Sequence, residues 1–146
     1  FKDEVFAHNH PGGSLGRKML TTIGDLMHTG EQVPIVYENS DLSVIISEMT
    51  QKRLGVTLIT NKKKQLKGII TDGDLRRMIE DKKDISKICA LDLSKSFPKW
   101  LEQNNLATKA VQLMEKYSIT SLVVSANGKK IDGIIHLHDL LKAGII

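Results

Sequence analysis

An eight-residue stretch occurs twice in this chain. Gly68-Ile69-Ile70-Thr71-Asp72-Gly73-Asp74-Leu75 returns 65 positions later as Gly133-Ile134-Ile135-His136-Leu137-His138-Asp139-Leu140, and Met49 and Met114 keep the same offset. A spacing shared by separate elements marks a duplicated unit. Two copies in 146 residues, 40% of them hydrophobic, are expected to be small units packed about a pseudo-twofold axis with matching clefts between them.

Each copy reads as strand, helix, strand, strand, helix, which makes the fold α/β (α+β). In the first, Ile35-Val36-Tyr37 is a short β-prone run after Pro34. Ser40 or Asp41 then caps a helix whose apolar face is Leu42, Ile45, Ile46 and Met49. Strands over 56–59 and 66–70 flank the polar turn Asn61-Lys62-Lys63-Lys64-Gln65, and a short helix from Asp72 carries Leu75, Met78 and Ile79 on one face. In the second copy, Lys99-Trp100-Leu101 follows Pro98, and Asn104-Asn105 caps a helix on Leu106, Ala110, Leu113 and Met114. Strands over 121–124 and 131–135 enclose the turn signal Asn127-Gly128, and a last helix spans 137–143. The connector from Asp81 to Ser96, apolar at Ile85, Ile88, Leu91 and Leu93, is expected to pack against the units. The domain reading is 1–24 as the tail of another domain with its connector, 25–84 as repeat one and 85–146 as repeat two.

Charge and composition narrow the functional classes. Twenty-one basic against 17 acidic residues leave a net charge of +4, spread along the chain except at Lys62-Lys63-Lys64 and Lys82-Lys83. With 4% aromatic residues and no basic stretch that alternates with aromatics, neither duplex nor single-strand nucleic-acid binding is expected. No apolar run approaches the ~20 residues of a membrane span, and no signal peptide is recognisable, so no membrane partner and a cytoplasmic location are expected. The single cysteine, Cys89, sits among Ile88, Ala90 and Leu91 and is expected to be a buried structural thiol. The chain begins at Phe1 with an unanchored amphipathic element, which suggests a piece of something longer.

In each copy a buried strand ends at a small or polar residue, and three positions on an aspartate stands in the first turn of a helix. Thr71 and Asp74 suit a nucleoside: a hydroxyl and a carboxylate beside a helix N-terminus bind sugar hydroxyls while backbone N–H groups face a phosphate. Helix capping by Thr71 or Asp72 explains the same residues more simply, but a cap alone does not call for aspartate at the third following position in both copies. Arg76 and Arg77 supply guanidinium groups for a phosphate or carboxylate, whereas Leu141 and Lys142 stand at their places in the second copy, so the two clefts differ in charge. Of the histidines, His8 and His10 alternate, as do His136 and His138. Neither pair has further ligands in the sequence, so no metal site is expected. His28 is read as structural or as lining a cleft.

Gly-hydrophobic-hydrophobic-Thr-x-x-Asp after each strand-helix-strand unit resembles the cystathionine β-synthase (CBS) domain pair, or Bateman module. The first copy fits at Thr71 and Asp74; the second departs with His136 where Thr or Ser is usual. The framing segments, Phe6-Ala7-His8-Asn9-His10-Pro11-Gly12-Gly13-Ser14-Leu15-Gly16-Arg17, Asp25-Leu26-Met27-His28-Thr29-Gly30 and the terminal His138-Asp139-Leu140-Leu141-Lys142-Ala143-Gly144, resemble the C-terminal part of the D-arabinose 5-phosphate isomerases of capsule and lipopolysaccharide synthesis. In that family a sugar isomerase (SIS) domain precedes the CBS pair and interconverts ribulose 5-phosphate and arabinose 5-phosphate on the route to the eight-carbon acid sugar Kdo. The resemblance implies a catalytic role for His10 in the full-length parent only, with no required cofactor and this fragment silent by itself. It implies a ligand site on Val33, Pro34, Thr71, Asp72, Asp74, Arg76, Arg77, His136, His138 and Asp139, for CMP-Kdo or an adenine or cytidine nucleotide. The expected partners are that ligand, the SIS domain of the same chain and further copies in a homo-oligomer. The alternative expectation is an oligomerisation module without a physiological ligand; an intact small enzyme is the weakest reading.

Overall fold

The structure, a computed structural model, describes residues 19–81, 84–94 and 96–146. Its elements in chain order are α1 (Ile23–Leu26), β1 (Ile35–Tyr37), α2 (Leu42–Lys52), β2 (Val56–Thr60), β3 (Leu66–Thr71), α3 (Asp72–Glu80), α4 (Ala90–Leu93), β4 (Trp100–Leu101), α5 (Ala107–Tyr117), β5 (Ser121–Val124), β6 (Gly133–His136) and α6 (Leu137–Lys142), with 3₁₀ turns at Gly30–Gln32 and Ile85–Lys87. Each repeat thus has the strand, helix, strand, strand, helix order read from the sequence. The strands form two three-stranded sheets, β1-β2-β3 and β4-β5-β6. In both, the first strand runs parallel to the second and the third antiparallel to it, with Ile35 beside Leu58 and Val56 opposite Thr71 in one, and Trp100 beside Val123 and Ser121 opposite His136 in the other.

The chain divides into two compact units that are not contiguous halves. Among the described residues, one comprises 19–28, 100–126 and 132–146; the other comprises 29–81, 84–94, 96–99 and 127–131. The short helix before each repeat belongs with the other repeat's strands. In the first unit the Ile23 and Gly24 N–H groups donate to the carbonyls of Asn105 and Gln103, both at 2.9 Å; in the second, Ala90 and Leu91 donate in the same way to Ser40 and Glu38, again at 2.9 Å. Each unit has its own core. Ile23, Ala107, Ala110, Met114, Leu122, Val124, Ile135 and Leu140 fill the first, and Val36, Ile45, Met49, Ile59, Ile70, Met78, Ala90 and Leu93 fill the second.

Several details depart from the sequence reading. Ile46 and Ile79 stay 46% and 62% exposed, because each lies one position, about 100° of helix, beyond the buried Ile45 and Met78. The α5 N-cap is Leu106 without a side-chain cap bond; Asn105 instead donates its side-chain amide to the Glu102 carbonyl at 3.0 Å. In the connector, Ala90 and Leu93 are buried while Ile85 and Leu91 remain exposed. The second hairpin's return strand starts at Gly133 instead of Ile131 because Lys130 pairs with Gln65, and the Lys129 carbonyl accepts from the Leu66 N–H at 2.7 Å. Cys89 is half-buried and takes the N-cap position of α4.

Candidate functional site

The Thr71 backbone is extended, which ends β3 and starts α3 in one residue. Thr71 Oγ1 accepts from the Asp74 N–H at 3.2 Å, and Asp74 Oδ2 accepts from the Thr71 N–H at 2.8 Å. This reciprocal pair satisfies two backbone donors that the first helical turn would leave open. The other oxygen of Asp74, Oδ1, receives an N–H from Arg77 at 2.6 Å. Asp74 is buried, whereas the Arg77 side chain is 59% exposed. Asp72 is exposed and its N–H donates to the Gly55 carbonyl at 3.0 Å. Val33 and Pro34 are buried at the start of β1, where the Pro34 carbonyl accepts from the Leu58 N–H. Strand register therefore brings Val33, Pro34, Thr71, Asp72, Asp74 and Arg77 to one end of the β1-β2-β3 sheet. Arg76 is exposed on α3.

In the other unit His136 stands where Thr71 does. Asp139 Oδ2 accepts from the His136 N–H at 2.8 Å, and His136 Nδ1 accepts from the His138 N–H at 3.0 Å. The imidazole thus caps α6 as the threonine hydroxyl caps α3, and the His136 and His138 ring centroids lie 4.4 Å apart. His28 completes the group: its Nε2 lies 2.9 and 3.0 Å from the two Asp139 oxygens. A carboxylate only accepts, so that nitrogen carries the proton. Burial first, then the neighbouring His138 and His28, holds the His136 pKa below the ordinary histidine value, while Asp139 acts in the opposite sense. Among the described residues no group of three His, Cys, Asp or Glu side chains could hold a metal ion.

The same reciprocal cap recurs at Thr22 with Asp25 and at Cys89 with Asp92. Four strand-to-helix or loop-to-helix junctions therefore share one device. This corrects one step of the sequence argument: an aspartate three residues after the cap is what a reciprocal cap uses, so its recurrence does not by itself point beyond helix capping. Two residues that sequence reasoning passed over lie at the same sheet ends. Thr57 Oγ1 and Ser121 Oγ are buried with no hydrogen-bond partner among the described residues. Thr57 pairs with Ile70, next to Thr71, and Ser121 pairs directly with His136. A hydroxyl inside a strand carries no local sequence signal that it will be orphaned. His8, His10 and the Pro11-Gly12-Gly13 run lie outside the described residues.

Residues 23–81 and 92–145 match the model of the CBS domain. The chain belongs to the CBS domain family. It is similar along its whole length to the arabinose 5-phosphate isomerase KdsD of Yersinia pestis, at 42% identity over 146 residues, and covers 44% of that protein. KdsD of Escherichia coli K12 is 40% identical over the same span. The chain therefore spans less than half the length of these relatives. Among solved structures, CBSX2 in complex with AMP superposes with a TM-score of 0.73 at 20% identity, covering 86% of this chain and 96% of that one; that likeness is one of fold. No helix among the described residues of this CBS pair is long and apolar enough to cross a membrane.

Proposed function

We propose that this CBS pair is a regulatory module that binds a nucleotide or nucleotide sugar at the sheet ends carrying Thr71–Asp74 and His136–Asp139, and that it belongs to an arabinose 5-phosphate isomerase. Its ligand sets the activity of a sugar isomerase domain in the same chain, and the CBS pair alone turns over no substrate. The observation that carries the reading is the orphaned hydroxyl beside each cap, Thr57 and Ser121. A buried hydroxyl without a partner costs about 1–3 kcal/mol, and Thr57 and Ser121 stand in register beside the Thr71–Asp74 and His136–Asp139 caps. The likeness of this chain, along its own length, to part of KdsD supports the parent activity, and the AMP complex of CBSX2 supports a nucleotide as the ligand class.

Ligand binding at Asp74 requires its carboxylate to exchange Arg77 for a sugar hydroxyl. Because the guanidinium is largely exposed, that ion pair is worth at most about 1 kcal/mol. The released guanidinium is then available to a phosphate or, in CMP-Kdo, to the sugar acid's carboxylate.

Calorimetric titration with AMP, ATP, CMP and CMP-Kdo tests the reading. At least one is expected to bind, with affinity reduced by Asp74→Ala or by Asp139→Ala measured separately; absence of binding by all four overturns it. Isomerase turnover by this chain alone would overturn its catalytic silence. The second reading, an oligomerisation module, is favoured by Val44, Ile46 and Ile79, which leave apolar helix surface exposed. Light scattering that shows a monomer at all concentrations removes it.

A further inference from the structure

The unit built on β1-β2-β3 holds a cleft of about 540 Å³ lined by Ile35, Val36, Tyr37, Ser40, Val44, Thr60, Lys64, Lys130 and Ile131. It lies at the opposite end of the sheet from Thr71. Tyr37 pairs with Thr60 where β1 and β2 finish, while Thr71 pairs with Val56 where β2 begins. Four residues of strand, about 13 Å, separate the two ends. The volume is that of a small-molecule pocket, the walls are mostly apolar, and Tyr37, 49% exposed, offers a ring face.

The charge in this cleft has one sign. Lys64 and Lys130 are brought side by side because Gln65 pairs with Lys130 and the Leu66 N–H donates to the Lys129 carbonyl. Both loops are held internally: Asn61 Oδ1 accepts from the Lys63 and Gln65 N–H groups, and Asn127 Oδ1 accepts from those of Lys129 and Lys130. Lys64 itself sits in the left-handed region at φ 62°. No carboxylate lines the cleft, and neither lysine ammonium has an acceptor among the described residues. Like charges on these adjoining loops repel. An anion between them relieves that repulsion, and an apolar body attached to it covers Val44, Ile131 and Tyr37.

We propose that this cleft is a second ligand site, separate from the nucleotide reading above, for a small anionic amphiphile: an aromatic or alkyl body bearing one carboxylate, sulfonate or phosphate. Ser40 adds a donor, since its Oγ accepts from the Tyr37 N–H at 3.0 Å and its own O–H has no acceptor among the described residues.

The test is fluorescence titration of the folded chain with 8-anilinonaphthalene-1-sulfonate, with its neutral parent N-phenyl-1-naphthylamine as control. The sulfonate is expected to saturate one site. Lys64→Ala and Lys130→Ala each weaken it about fivefold and leave the neutral dye unaffected. Val44→Trp, at an already exposed position, fills the cleft and abolishes saturable binding of both dyes, while Asp74→Ala changes neither. Because AMP or CMP-Kdo binding is read separately on the Asp74 and Asp139 variants, failure of one site leaves the other standing. Non-saturable binding, binding indifferent to Val44→Trp, or lysine variants that affect both dyes equally would overturn the proposal. So would loss of the dye site as the protein is concentrated, since a second copy would then be the occupant.

Discussion

His28 and Asp139, 111 positions apart, are joined within one unit: His28 Nε2–H faces both carboxylate oxygens of Asp139 at 2.9 and 3.0 Å. The backbone is tied at the same place, where the His28 N–H donates to the Ile134 carbonyl at 2.8 Å and the Ile134 N–H returns a bond to the His28 carbonyl at 3.0 Å. Asp139 also closes the α6 cap on the His136 N–H. Removing its carboxylate breaks both links and removing the His28 ring breaks one. Asp139→Ala is therefore expected to cost about 2 kcal/mol and His28→Ala about 1 kcal/mol of unfolding free energy in urea titrations. A His28→Ala loss as large as that of Asp139→Ala would show that the cap contributes nothing.

The cap at His136 makes stability depend on pH. Its Nδ1 can accept from the His138 N–H only while unprotonated. With the folded-state value held below the ordinary 6.5 by burial and by His138 and His28, the unfolded chain binds more protons than the folded one between the two values. This contribution is thus complete above pH 6.5 and is lost as pH falls through the lowered folded value. His136→Thr keeps an oxygen cap without the titration. It is expected to flatten the fall between pH 7.5 and pH 5 seen in chemical denaturation, and an unchanged slope would assign the fall to other groups.

Gly133 and Gly68 occupy the same position in the two repeats but differ in what a methyl group would meet. At Gly133 a Cβ would lie 2.5 Å from the His28 carbonyl oxygen, which the bridge to Ile134 holds in place; at Gly68 it would meet the Ser94 hydroxyl, which can turn away, and the Ser94 Cβ at 2.9 Å, a smaller overlap that a slight backbone shift relieves. Turning costs Ser94 its bond from the Ile69 N–H. Gly133→Ala is expected to cost about 3 kcal/mol and Gly68→Ala about 1 kcal/mol. Thermal melts of the two variants check the order.

Arg77 separates stability from binding. Arg77→Ala removes an ion pair in which the arginine is largely exposed, so unfolding free energy should move by less than about 1 kcal/mol. If the guanidinium meets a ligand's phosphate, nucleotide affinity should fall about tenfold. Calorimetry on a variant whose melt is unchanged decides; unchanged affinity would place the phosphate elsewhere.

Local chemistry was legible in the residues themselves. The caps at Asp41 and Thr71, the hairpin turn after Thr60 and the strand-helix order of each repeat all depend on groups within a few positions of one another, and α2 and α3 start where those residues placed them. The aspartate of each cap was visible too, though its reciprocal bond to the cap N–H, which needs no ligand, appeared only with coordinates. Tertiary structure decided what lies far apart in sequence: that α1 joins the strands of the second repeat and α4 those of the first, that Lys130 meets Gln65 and not its own hairpin partner, that Thr57 and Ser121 lose their partners on burial, and that His28 reaches Asp139. Periodicity and capping describe which face of an element is apolar and where it ends. They do not say which of two nearly equivalent surfaces, in a duplicated chain, will cover that face, because that choice is made by packing and backbone hydrogen bonds across scores of residues.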